Sequence, residues 1–132
     1  MIYADTSALA KLVVAEAETP ALRSWFASQS SGLVTNSVGV VELQRLAARV
    51  SPDAERTALL LLSRIDRISL TAAALALAGQ LPPPELRTLD ALHVASAAEL
   101  VDLVALLTYD RRMAEAASHL GLPVESPRKP GQ

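Results

Sequence analysis

The sequence contains no cysteine, which excludes disulfides and thiolate metal centres. That absence fits a reducing compartment without requiring one. Aromatic side chains are almost as scarce: Tyr3, Trp25, Phe26 and Tyr109 are the whole set, too few for a platform on which unpaired bases could stack. No apolar run approaches the roughly 20 residues needed to span a bilayer; the longest, Ala72 to Ala78, ends at Gly79. Asp5, Lys11 and Glu16 break up the N-terminal apolar stretch, which makes it a poor secretory signal. A cytoplasmic protein with no membrane partner is therefore expected. A basic excess is also missing, since 12 Lys and Arg face 14 Asp and Glu for a net charge of −2. Proteins that live by tight, non-specific nucleic-acid binding usually carry surplus positive charge. Any nucleic-acid substrate would have to be held by a local basic rim, by a metal, or by a few specific contacts.

What the chain does have is a 51% hydrophobic content, rich in Ala, Leu and Val, over 132 residues. This is enough for one domain with a real core, and the small side chains suit closely packed helices around a small sheet. Strand candidates at Met1–Ala4, Leu33–Thr35, Ile68–Leu70, Leu103–Leu107 and Val124 alternate with helical stretches. Helices are predicted from Asp5 to about Ala15, from Thr19-Pro20 with Thr19 as N-cap, from Ser37 to Val50, and from Ser51-Pro52 to about Arg64. Others follow Thr71 to near Gly79, run from Thr88 to about Leu100, and follow Asp110 to about His119. Strand alternating with helix predicts an α/β fold, a parallel sheet sandwiched by helices. Residues 1–125 form the domain. Residues 126–132, with two prolines, a glycine and a basic pair, read as a flexible tail.

Four acids occupy unusual places in this pattern. Asp5 and Asp110 each follow a short apolar strand, where ligands of open α/β sheets bind. Each can equally be read as marking a helix start, with Asp5, Thr6 or Ser7 capping the first and Asp110 the last, and the two roles are compatible. Glu42 lies four residues from both Val38 and Leu46, so on a helix it shares an apolar stripe. A charge there is costly unless it is paired or binds a metal; pairing with Arg45 or Arg49 is the plainer explanation. Asp90 is placed alike, with Val94, Ala97 and Val101 on its face, although a first-turn acid is also favoured by the helix dipole. His93, one turn along, could orient Asp90 or simply pack.

Gathered in one place, four carboxylates would force some of their number to protonate unless a divalent cation neutralised them. Oxygen donors without thiolate point to Mg²⁺ or Mn²⁺, and such a site suits hydrolysis of a phosphodiester.

The same residues resemble a known family. Met1-Ile2-Tyr3-Ala4-Asp5-Thr6-Ser7 is similar to the opening strand and Asp-x-Ser motif of PIN domains. Val41-Glu42-Leu43 matches their second acidic position. Leu89-Asp90-Ala91-Leu92-His93-Val94-Ala95 resembles the third motif of bacterial VapC-type toxins, and Thr108-Tyr109-Asp110 the Thr-x-Asp fourth motif. The match spans essentially the whole chain, in the family's order and without departure at the acids. The resemblance implies a PIN-like three-layer α/β/α sandwich with a small parallel sheet. It also implies a Mg²⁺- or Mn²⁺-dependent endoribonuclease, the toxin of a toxin–antitoxin pair, inhibited by a cognate antitoxin and often a homodimer. Carried over by position, Asp5 and Asp90 would be metal ligands, directly or through water, with Asp110 beside them. Glu42 would complete the pocket and orient the attacking water, while Ser7 and Thr108 would hydrogen-bond the acids.

With four acids in a pocket, the remaining surface carries +2 (−2 less −4). Lys11, Arg45, Arg49, Arg87, Arg111 and Arg112 lie near the acidic motifs and are candidates for phosphate contacts, against the alternative of ordinary solvated helix residues. Recognition of a folded RNA by shape and backbone suits the shortage of aromatics. An aspartyl-nucleophile phosphatase would want a second Asp where Ser7 stands, and the paired acids and later Lys of a receiver domain are missing. A catalytically inactive PIN-like binding module, engaging a protein or RNA partner, is the alternative from another class.

Overall fold

A computed structural model describes residues 1–132. Five parallel strands, β1 (Ile2–Ala4), β2 (Leu33–Asn36), β3 (Asp66–Ile68), β4 (Ala105–Leu107) and β5 (Val124–Glu125), form one sheet in the order β3-β2-β1-β4-β5. Seven helices connect them: α1 (Thr6–Val13), α2 (Thr19–Ala27), α3 (Ser37–Val50), α4 (Pro52–Leu62), α5 (Ala72–Gln80), α6 (Thr88–Ala98) and α7 (Arg111–His119).

The alternation of side chains along each strand divides the core into two layers. Ile2, Ala4, Leu33 and Leu107 face one way, onto Leu9, Leu22, Leu43 and Ala58 of α1 to α4. Tyr3, Val34 and Leu106 face the other way, onto Val94, Met113 and Ala117 of α6 and α7. The result is the expected α/β/α sandwich. No helix is long and apolar enough to cross a membrane.

Local chemistry sets most helix starts. Asp5, Asn36, Ser51, Thr71 and Asp110 each accept a hydrogen bond from the backbone N–H three residues on, at the heads of α1, α3, α4, α5 and α7. Three expectations need correction. Thr19 is the first residue of α2 rather than its cap, which is Glu18; the Thr19 hydroxyl instead donates to the Lys11 carbonyl and accepts from Glu16 N–H. The third strand covers Asp66–Ile68, not Ile68–Leu70. It pairs on one side only, with β2, so exposed Asp66 and Arg67 are tolerated in an edge strand. Strand β4 starts at Ala105 instead of Leu103 because its neighbour β1 is three residues long, and the two align from Ile2↔Ala105 to Ala4↔Leu107.

Residues 126–132 form no helix or strand. Their first part lies against the end of β4, where Ser126 Oγ donates to the Thr108 carbonyl and the Pro127 carbonyl accepts from Tyr109 OH at 2.8 Å.

Candidate active site

Strand β1 has β2 on one side and β4 on the other, so the connections diverge at the sheet's centre. Ligands of open parallel sheets bind at such a point, beyond the carboxyl ends of the strands. There a small cleft of about 70 Å³ is lined by Asp5, Glu42, Asp90 and Asp110, together with Thr6, Ser7, His93 and Met113. A larger hollow of about 650 Å³ lies elsewhere, near Leu12, Phe26, Leu60 and Ile65, but no Asp, Glu or His lines it.

Asp5 is 1% exposed and fully engaged. Its Oδ1 accepts from Ser7 Oγ at 2.7 Å and Ala8 N–H at 3.0 Å; its Oδ2 accepts from Thr108 Oγ1 at 2.6 Å. Capping α1 and lining the cleft are thus done by one carboxylate. Ser7 and Thr108 also receive the backbone N–H groups of Tyr109 (2.8 Å) and Asp110 (3.0 Å), tying the ends of β1 and β4 together. Asp110 caps α7 by accepting from Met113 N–H at 2.9 Å.

Glu42 is not paired with Arg45 or Arg49. Its Oε1 takes hydrogen bonds from Thr6 Oγ1 and His93 Nε2, each at 2.7 Å. His93 therefore reaches Glu42 rather than orienting Asp90. The correction has a simple cause: α3 and α6 pack side by side, which no one-helix spacing reveals.

The electrostatics separate the acids. Burial pushes the Asp5 carboxyl above its ordinary value, against the lowering effect of its hydrogen bonds. Asp90 is also pushed up, first by burial and then by the charge of Asp110, with Arg87 opposing. For Glu42, burial acts upward, but the hydrogen bonds with His93 and Thr6 outweigh it and hold the carboxyl below its ordinary value. Glu42 stays ionised while Asp5 and Asp90 hold their protons more tightly than free carboxyls do.

The donor set is made of carboxylate oxygens, since the one imidazole is committed on both nitrogens, to Glu42 and to Tyr3 OH at 2.7 Å. No three of these side chains converge closely enough to enclose an ion on their own. With no thiolate and no free imidazole, the donor set disfavours Zn²⁺. It suits a hard cation that keeps several waters and takes only one or two carboxylates.

The candidate rim divides. Arg87, the residue preceding α6, acts on Asp90 through its charge and is exposed, as is Arg45 one turn beyond Glu42. Arg49, in the last turn of α3, is exposed as well. Arg111 is exposed and pairs with Glu115 at 3.2 Å. Lys11 is withdrawn: its side chain is 10% exposed, bridges Glu16 (2.9 Å) and Glu18 (3.4 Å), and lies over the Tyr109 ring. Arg112 lines a separate hollow with Pro82, Glu85, Glu115 and His119.

Thr6 and Tyr3 also belong to the site, through Glu42 and His93, and the sequence marks neither as a site residue. The signal for Tyr3 was available, because a tyrosine in a buried strand must satisfy its hydroxyl. Thr6, which the sequence offers only as a possible helix cap, instead donates to Glu42.

Comparison with known proteins agrees with this geometry. The PIN domain family model matches residues 2–118. Ribonuclease VapC47 of Mycobacterium tuberculosis (strain CDC 1551 / Oshkosh) is 41% identical over 132 residues, covering 96% of this chain and 97% of the relative. Two solved structures share the fold. Mycobacterium tuberculosis VapC20, described as a sarcin-ricin loop cleaving toxin, superposes with TM-score 0.69 at 22% identity, over 92% of this chain and 96% of that one. A toxin–antitoxin complex from Klebsiella pneumoniae gives TM-score 0.74 at 18% identity, over 98% and 99%. A parallel sheet carrying acids at its central strand ends, and a relative of this identity over nearly the full length, lead to one conclusion: the chain belongs to the PIN domain family, among the VapC-type ribonucleases.

Proposed function

We propose that the four-carboxylate cleft hydrolyses RNA phosphodiester bonds with a bound Mg²⁺ or Mn²⁺ ion, as the toxin of a toxin–antitoxin pair. One observation carries the reading: acids from two strand ends and two neighbouring helices line a single cleft at the carboxyl edge of the sheet. Asp5 and Asp90 would hold the ion, directly or through water, with Asp110 beside them. Such an ion withdraws charge from the phosphoryl group and stabilises the leaving oxygen. Glu42, ionised and aimed into the cleft, accepts a hydrogen bond from the attacking water and orients it on phosphorus. Ser7 and Thr108 keep Asp5 in place. Arg45, Arg87 and Arg111 contact phosphates flanking the cleaved bond. The solved Klebsiella pneumoniae relative is a toxin–antitoxin complex, which supports a cognate antitoxin as this protein's partner.

Asp5→Asn and Asp90→Asn test the chemistry. Each should slow Mn²⁺-dependent RNA cleavage by more than the roughly 10- to 100-fold typical of losing an outer-shell partner of a metal site. Mn²⁺ at a hundred times its Kd should stabilise the parent by about 2.7 kcal/mol, and Asp90→Asn should lose most of that gain. Expressed alone, the parent should arrest growth and Asp90→Asn should not, with the antitoxin relieving the arrest. A variant that cleaves RNA as fast as the parent would overturn the assignment.

A further inference from the structure

A half-buried carboxylate beside three others keeps one orientation only if something behind it holds it there. Behind Glu42 a file of hydrogen bonds runs from the cleft into the sheet. Its Oε1 bonds His93 Nε2 at 2.7 Å, His93 Nδ1 meets Tyr3 OH at 2.7 Å, and Asn36 N–H donates to the Tyr3 oxygen at 3.3 Å. Asn36 is fixed in turn, accepting from Gly39 N–H at 2.8 Å and donating to Ser96 Oγ at 2.9 Å. His93, Tyr3 and Asn36 are all buried.

The chemistry of the groups gives the file a direction. An ionised carboxylate only accepts, so His93 Nε2 carries the hydrogen. With its single ring hydrogen on Nε2, the imidazole offers Nδ1 as an acceptor, and the Tyr3 hydroxyl donates to it. Burial raises the Tyr3 hydroxyl far above its ordinary value and keeps it a donor. A second feature makes room for the ring. The Cβ of any other residue at Gly39 would overlap the Thr35 hydroxyl and come within 3.2 Å of His93 Cε1. Helix α3 is thinned where the imidazole passes on its way to Glu42.

We infer that His93 is a positioning residue for the hydrolysis: Tyr3 fixes its ring, and its Nε2–H holds Oε1 of Glu42 so that Oε2 faces the cleft. The inference rests on the reading of Glu42 as an acid of the active site. Both hydrogen bonds to Glu42 fall on Oε1, which leaves Oε2 as the oxygen free to meet water or an ion. Without the ring, the carboxylate would be held by Thr6 Oγ1 alone and freer to turn toward solvent, away from the charges of its neighbours.

Glutamine can place an amide N–H near the position of Nε2, whereas leucine cannot. His93→Leu should lower kcat for RNA cleavage by about 10- to 100-fold with KM nearly unchanged, and His93→Gln should recover most of the loss. Tyr3→Phe, which keeps the ring's packing, should give a smaller fall in kcat. Adding His93→Leu to Glu42→Gln should cost little more than Glu42→Gln alone. Nitrogen-15 spectra of the labelled imidazole at mildly alkaline pH should show the hydrogen on Nε2, independently of any activity. Unchanged kcat in folded His93→Leu, equal losses in the Leu and Gln variants, or a hydrogen on Nδ1 would overturn the inference. If Glu42→Gln itself leaves cleavage intact, the failure lies with the reading of Glu42 instead.

Discussion

Asp90 stores a cost in the folded protein. Its carboxyl is raised by burial and by the charge of Asp110, only partly relieved by Arg87. In the unfolded chain it ionises near its ordinary value of 3.8, while in the folded protein it holds its proton to higher pH. Between those two values the folded state binds more protons, so stability falls as pH rises through that window. Asp90→Asn removes the titration. In EDTA, the variant should melt a few degrees above the parent at neutral pH, with the gap closing as the solution is acidified below the window. Thermal melts across pH check this; parallel pH profiles for the two proteins would show that Asp90 carries no such penalty. A site built for chemistry is commonly a place where stability has been given up. Asp110 separates the two uses of an acid. Asparagine caps helices about as well as aspartate, so Asp110→Asn should keep the cap and reveal in RNA cleavage what the charge contributes.

The elements that place these residues were largely readable from local chemistry. Ser51-Pro52, Thr71 and Asp110 mark helix starts because their side chains compete for the same orphan N–H groups in any context. The bounds of the edge strand were not readable: the sequence places it at Ile68–Leu70, two residues late, because charged Asp66 and Arg67 fit a strand only once its one-sided pairing with β2 is known. His93 was misdirected for a similar reason: spacing along α6 shows Asp90 one turn away, whereas its partner Glu42 lies across a helix–helix contact. The crossing of α3 and α6 depends on Gly39, which looks unremarkable in sequence. Alanine would gain about 1 kcal/mol in helix propensity. Its methyl group would overlap the hydroxyl of Thr35, which is fully buried. Overpacking of this kind costs about 1–3 kcal/mol, so Gly39→Ala should be net destabilising and should weaken RNA cleavage by displacing His93. Thr35→Ala in the same chain should restore most of both. A rise in Tm for Gly39→Ala alone would show that the helices have room to spare.

At the scale of the whole molecule, an acidic pocket sits in a chain of net charge −2 that must attract a polyanion. Net charge offers no basic excess to do it, which makes a few cations close to the cleft the candidates for capture. Arg87 is the strongest candidate, because it is exposed, precedes α6, and acts electrostatically on Asp90 itself. Lys11 and Arg112 looked equivalent in sequence, but one is bridged to two glutamates and the other faces a different hollow. A lysine or arginine that meets a phosphate releases counterions and leaves a signature in the salt dependence. Arg87→Ala should therefore raise KM with a smaller change in kcat. It should also flatten the plot of log kcat/KM against log salt by about one unit, the share of a single phosphate contact. Arg112→Ala, from the separate hollow, should leave that slope untouched. Steady-state cleavage over a range of KCl concentrations distinguishes the two. Equal slopes for the parent and Arg87→Ala would mean that the phosphates are held by the ion and by backbone groups, and that the rim plays no part in capture.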